Sequence, residues 1–148
     1  CTIICTTSSK SKVSMLKKLG ADLIVSTDNF KDEVMKLFPE GVDYAVDIMG
    51  GYVWSQAVET LAKNGTIVFC ATTFDDLGIV NIGKTFAKQL NILGSYGGRI
   101  KDLKEIISLF EKGVIKPVID SVFPFNKAEL GFKKLAAKKV FGKIILKF

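Results

Sequence analysis

The chain has no histidine. That absence excludes histidine-based acid–base chemistry, Ser-His-Asp triads and histidine-ligated metals from these residues. Arginine is nearly absent too: Arg99 stands alone, so the formal charge of +6 comes from lysines. The lysines are spread along the sequence, at Lys17, Lys18, Lys133, Lys134, Lys138 and Lys139 among others. Nucleic-acid surfaces cluster arginine with aromatics, whereas scattered lysines describe a solvated surface with a mild attraction for anions. Only three cysteines occur, Cys1, Cys5 and Cys70, at no metal-binding spacing. Their odd number, with no visible signal-peptide pattern, favours reduced, cytoplasmic thiols. No apolar run reaches the roughly 18 residues that a membrane span requires.

What is present describes a globular protein. The 148 residues are 48% hydrophobic and 24% charged, enough for a real core and far from a disordered composition. The first residue is Cys1 rather than Met, which fits a piece of a longer protein. The stretch from Ile3 to Lys12 sets the theme: an apolar β-branched run, a cluster of small hydroxyl residues, then lysines. That order predicts a strand, a turn and a helix N-terminus. Hydroxyls and backbone N–H groups there, with lysine beside them, suit a phosphate.

Strands and helices then alternate. Thr2–Thr6 reads as a buried strand, and Ser9 can cap a helix whose stripe is Val13, Leu16 and Leu19, ended by Gly20. Leu23–Val25 is a second strand; Thr27, Asp28 and Asn29 offer N-caps to a helix with Phe30, Val34, Leu37 and Phe38 on one face. Val42–Ile48 is a third strand, followed by Gly50 and Gly51 and by a helix carrying Trp54, Ala57, Val58 and Leu61. Asn64-Gly65 turns the chain into a fourth strand, Thr66–Cys70. A loop over 71–80, a short helix over 83–90 and a fifth strand at Ile92 and Leu93 follow. Leu103, Ile106, Ile107 and Phe110 mark an amphipathic helix ended by Gly113. The tail from Pro117 reads strand, helix, strand, with Phe123 and Phe125 in need of a packing partner. The alternation predicts an α/β fold with a doubly wound parallel sheet.

In such sheets ligands lie beyond the carboxyl ends of the strands. Those ends are Thr6-Thr7-Ser8, Ser26-Thr27, Asp47-Ile48-Met49-Gly50, Ala71-Thr72-Thr73 and Ser95-Tyr96-Gly97, all rich in hydroxyls or glycine. Glycine admits close approach to the backbone. Loops need Gly and Thr in any case, but the recurrence at successive strand ends points to a ligand.

An ordered set of motifs then resembles the nucleotide-binding half of the medium-chain dehydrogenase/reductase superfamily, the zinc-type alcohol dehydrogenases and quinone oxidoreductases. Lys18-Leu19-Gly20-Ala21-Asp22 is similar to that family's step between second helix and third strand. Gly41 to Asp47 with Gly50-Gly51 is similar to its fourth strand and turn. Leu93-Gly94-Ser95-Tyr96 with Lys101-Asp102-Leu103 resembles its sixth strand and next helix. Phe123-Pro124-Phe125 and Gly142-Lys143-Ile144-Ile145-Leu146 resemble its C-terminal signature. The match runs through the whole chain in register.

The resemblance implies a Rossmann-like sheet, a nicotinamide cofactor and hydride transfer to or from an alcohol or carbonyl, an enone or a quinone. The family's second strand ends in a carboxylate when NAD(H) is bound, because that group holds the ribose 2′-OH. Here the place falls at Thr7, among hydroxyls and lysine. Thr6, Thr7, Ser8, Ser9 and Lys12 therefore favour NADP(H) over NAD(H). Ser8 or Ser9 can cap the helix while the other meets the phosphate. By the same resemblance Met49 and Gly50 flank the ribose, and Ala71, Thr72, Ser95 and Tyr96 line the nicotinamide. Lys143 matches a position that reaches the pyrophosphate, or is a solvated strand lysine. Asp47 is either structural or a cofactor contact. No residue is expected to act as a catalytic acid, base or metal ligand, and any zinc would be held by residues outside this chain.

The family's glycine-rich turn and first strand have no counterpart here. The expectation is a C-terminal fragment: residues 1–116 form a dinucleotide-binding domain lacking its first βα unit, and residues 117–148 belong with an absent catalytic domain. The sheet should show a gap where that first strand lies. Alone, the chain should be inactive. Relatives pair through their sixth strand, so a homodimer through Asn91–Gly94 is expected. The alternative is a non-catalytic nucleotide-binding or interaction module. A methyltransferase-like domain fits worse, since it leaves the C-terminal motifs unexplained.

Overall fold

The computed structural model describes residues 1–148. Two compact units emerge, Cys1–Gly97 and Gly98–Phe148. The expected division after Lys116 lies inside the second unit. No helix is long and apolar enough to cross a membrane.

In the first unit β1 (Ile4–Thr6) leads through a 3₁₀ turn, Lys10–Lys12, and α1 (Val13–Lys18) to β2 (Leu23–Val25), its parallel partner. α2 (Phe30–Leu37) connects to β3 (Val42–Asp47), and α3 (Gly51–Thr60) to β4 (Leu61–Phe69). After a loop come α4 (Ile82–Lys88) and β5 (Asn91–Gly94). The strands form two separate parallel sheets, β1-β2 and β3-β4-β5. β1 and β3 therefore each carry one unpaired edge. The sequence-based expectation of an interrupted sheet is met: no strand pairing joins β1-β2 to β3-β4-β5.

One core holds this unit together. Val25, Phe30, Val34, Val53, Ala57, Val58, Leu61 and Ile67 are buried, with Ile4, Val42 and Ala45 packed against them. The helical spacing of Phe30 and Val34 turns one face of α2 inward, as the periodicity predicts, whereas Leu37 stays exposed. A Lys31–Glu59 ion pair at 2.9 Å ties α2 to α3 at the surface. It raises the lysine pKa and lowers that of the carboxylate. The opposite face of the three-stranded sheet is bare: Tyr44, Val46 and Leu93 lie exposed there.

Several boundaries differ from the sequence reading. β1 begins at Ile4 rather than Thr2, with Ile3 fastened to the start of β2. Its N–H donates to the Asp22 carboxylate at 2.7 Å, and its carbonyl accepts from the Asp22 and Leu23 amides. β4 begins at Leu61, directly after α3, rather than at Thr66. Val42 pairs with Leu61 but Tyr44 pairs with Thr66, so the residues between bulge out. Asn64, at φ 63°, turns the bulge, so the expected Asn-Gly turn is real but lies inside a strand. Ser9 stands at the N-cap of the 3₁₀ turn without capping it, and its hydroxyl meets that of Ser11 at 2.8 Å instead. Asn29 likewise makes no side-chain cap for α2 and donates to Asp32 at 3.1 Å.

The second unit contains α5 (Ile100–Glu111), β6 (Ile119–Pro124), a 3₁₀ turn at Phe125–Lys127, α6 (Ala128–Ala136) and β7 (Lys143–Lys147). β6 and β7 pair in parallel around α6, as the strand-helix-strand reading predicts. Arg99 and Asp102 form a capping box at the start of α5. Asp120 is the polar centre of this unit. It accepts from the Lys134 ammonium, from the Ser121 hydroxyl at 2.8 Å and from the Phe141 N–H at 3.0 Å. The bond from Lys134, then that from Phe141, holds its carboxyl down to a pKa of about 2. Phe125 finds its partner in Phe148, stacked at 4.6 Å.

Candidate functional site

The carboxyl ends of the strands in the first unit carry the candidate residues. Beyond β1, Thr7 donates its N–H to the carbonyl of Val25 at 3.0 Å, which holds the loop against the end of β2. The Thr7 hydroxyl accepts the Ser9 N–H at 3.2 Å, and the Ser9 carbonyl accepts the Lys12 N–H at 3.0 Å. This sets Thr6 and Ser8 exposed and Thr7, Ser9 and Lys12 half-buried in one tight loop. No carboxylate pairs with the Lys12 ammonium. The first acidic residue in the chain is Asp22, and it is tied to Ile3 at the amino end of β1, away from this loop.

Beyond β3 the chain turns on Asp47. Its buried carboxylate accepts the N–H groups of Met49 at 3.2 Å and Gly50 at 2.8 Å. Asp47 thus builds the turn through its Oδ2, the structural role the sequence allowed it. Gly50 is buried and Met49 half-buried. Beyond β4 come Ala71 and Thr72, both exposed, with the Thr72 hydroxyl donating to Asp76 at 2.6 Å. Beyond β5, Ser95 donates its N–H to the carbonyl of Phe69 at 2.9 Å, which places it beside the end of β4, and Tyr96 is fully exposed.

The structure thus gathers Met49 and Gly50 with the loop after β4, and Ser95 with the end of β4. Thr6 to Lys12 forms its own cluster at the ends of β1 and β2. Lys143 belongs to the second unit, where it opens β7 as an exposed residue with its N–H on the carbonyl of Val118. A small cavity lined by Val58, Thr85, Lys88 and Leu90 has a volume of about 20 Å³, room for one water. It lies at none of these strand ends.

Sequence reasoning missed one feature. Glycine at 50 and 51 reads as space for a ligand, but the loop after β4 takes it, with Asp75 against Gly50 and Asp75 and Phe74 against Gly51. The doublet was the available signal; what approaches it is set by a segment more than twenty residues away in sequence.

The arrangement fits a dinucleotide. A hydroxyl-and-lysine loop free of carboxylate can hold a phosphate ester, and main-chain groups at the other strand ends can meet a second nucleotide. It does not fit a zinc centre. Histidine is absent, and no three or more Cys, Asp or Glu side chains converge.

The sequence model of the family described as zinc-binding dehydrogenase matches residues 1–112. The mouse synaptic vesicle membrane protein VAT-1 homolog is 27% identical over 166 residues, covering 95% of this chain and 41% of that protein. Acryloyl-coenzyme A reductase of Sulfurisphaera tokodaii is 28% identical over 147 residues, covering 98% of this chain and 43% of the reductase. A crystal structure of an NAD-dependent alcohol dehydrogenase superposes with a TM-score of 0.85 at 31% identity, covering 99% of this chain and 44% of the enzyme. The chain spans about two fifths of the length of these relatives. With its interrupted parallel sheet, its strand-end loops and these matches, the chain belongs to the zinc-binding dehydrogenase family of zinc-type alcohol dehydrogenases and quinone oxidoreductases, as a stretch of their Rossmann-like nucleotide-binding part.

Proposed function

We propose that this chain is the cofactor-binding part of an NADP(H)-dependent oxidoreductase that moves hydride to or from an alcohol or carbonyl, an enone or a quinone. The observation that carries the cofactor choice is the loop after β1. It offers Thr6, Thr7, Ser8, Ser9 and Lys12, and its nearest acid in sequence is fastened at the strand's other end. A 2′-phosphate is attracted there, and a bare ribose finds no carboxylate to accept its hydroxyls. Met49 and Gly50 would flank the ribose. Ala71, Thr72, Ser95 and Tyr96 would face the nicotinamide. The hydride chemistry is supplied by the nicotinamide when bound; these residues bind it and orient it. The substrate and any zinc would meet residues outside this chain, and the free thiols support a cytoplasmic setting. The test is cofactor titration of the full-length protein. NADPH should bind more tightly than NADH and be oxidised by a carbonyl or quinone acceptor. Failure to bind either cofactor at high protein concentration refutes the reading.

The assembly proposed with it is a homodimer through Asn91–Gly94. β5 pairs only with β4, so its outer edge is unpaired, and Leu93 is half exposed on it. An apolar unpaired edge invites strand addition unless it is covered. Light scattering of the full-length protein should give twice the subunit mass, and a monomer at micromolar concentration would sink the assignment.

A further inference from the structure

The loop from Ala71 to Val80 leaves the carboxyl end of β4 and doubles back on the turn that follows β3. Thr73 donates twice to the carbonyl of Ile48, through its N–H at 3.2 Å and its hydroxyl at 2.7 Å. Phe74 donates its N–H to the carbonyl of Met49 at 2.8 Å, and Gly50 and Asp75 form a parallel bridge. The Phe74 ring meets Tyr52 edge-on at 5.2 Å. Farther along, Ile79 donates its N–H to the Ser55 hydroxyl at 2.8 Å, so the loop is also fastened to α3. The approach depends on glycine. Gly50 has φ +74°, and a Cβ there would stand 2.0 Å from the carbonyl oxygen of Asp75.

This seam lies along the carboxyl ends of β3 and β4, where a doubly wound sheet takes the second mononucleotide of its ligand. The hydroxyl of Thr72 spends its proton on Asp76, so the hydrogen-bond donors that Ala71 and Thr72 present are main chain. Main-chain groups serve as ligand contacts only while the loop is fixed. Within the seam the Thr73 hydroxyl is the one side-chain hydrogen bond from loop to turn. We propose that Thr73 and Gly50 are positioning residues that hold the Ala71–Thr72 backbone in place for the nicotinamide half of the cofactor. The inference rests on the reading that this part of the protein binds a nicotinamide dinucleotide.

The experiment compares two ligands in the full-length protein: NADPH, and adenosine 2′,5′-bisphosphate, which lacks the nicotinamide half. Thr73→Val removes the hydroxyl bond and keeps the volume; Thr73→Ser keeps the hydroxyl. Thr73→Val should weaken NADPH by about fivefold, the effect of one neutral hydrogen bond. It should leave the bisphosphate unchanged, and Thr73→Ser should bind both ligands as wild type does. Equal losses for the two ligands would show a merely structural threonine and overturn the proposal. So would an unchanged NADPH affinity in Thr73→Val. Wild-type protein that binds neither ligand refutes the functional reading, and this inference with it. Wild-type protein that binds both, with Thr73→Val indistinguishable from it, overturns the positioning role alone.

Discussion

Replacing Lys12 by alanine is expected to weaken NADPH binding by the full-length protein about 10- to 100-fold, with NADH nearly unaffected. The size follows from what the ammonium would contribute. A hydrogen bond to a charged group is worth about 1.5–3 kcal/mol, and about 1.4 kcal/mol is tenfold in affinity. Lys12 is half-buried on the 3₁₀ turn beside Thr7 and Ser9, with no carboxylate in competition for it. NADH has no 2′-phosphate for it to meet, so the two cofactors separate a contact with that phosphate from a general effect of lost positive charge. Isothermal titration with each cofactor reads the result. Equal losses for NADPH and NADH would remove Lys12 from the 2′-phosphate site and leave the preference for NADP(H) without its main support.

The largest effect on stability is expected at Leu61. Its side chain is fully buried, at the point where α3 passes into β4 without a loop. Truncation to alanine removes apolar contact and leaves a cavity that a helix-to-strand junction cannot easily collapse around. Such substitutions cost about 2–5 kcal/mol. Domains of this size are stable by only about 5–15 kcal/mol, so Leu61→Ala takes a large share. Leu77, 79% exposed in the loop after β4, is the matched comparison. Leu77→Ala should stay within about 0.5 kcal/mol of wild type. Urea unfolding of the three proteins checks both values, and a Leu61→Ala midpoint equal to wild type would contradict the core assignment.

Much of this architecture was legible in residue order. The stripe Phe30–Val34 located α2, and Gly20 ended α1 with φ +102°. These are local signals, carried by residues within a few positions of the feature they set. The strand-end loops were legible for the same reason. What escaped was non-local. Nothing near Leu61 in sequence shows that it pairs with Val42, so β4 reads four or five residues too short. Ser9 looks like a cap because caps are local, but Ser11 offers its hydroxyl a partner and the helix starts in a 3₁₀ turn. The seat of Phe74 and Asp75 on Gly50 and Gly51 brings together two loops that belong to different strands. The glycine doublet announces an approach; only tertiary structure says by what.

The pairing pattern described above has a consequence for how the molecule assembles. Every strand pair joins neighbours in the chain: Ile4 with Leu23, Tyr44 with Thr66, Thr66 with Asn91, Ser121 with Ile144. Each pair closes over one βαβ crossover, so the loop-closure entropy of bringing its strands together stays modest. The β1 and β3 edges have no such partner among these residues, so each keeps a row of backbone N–H and C=O groups to which a further strand can add.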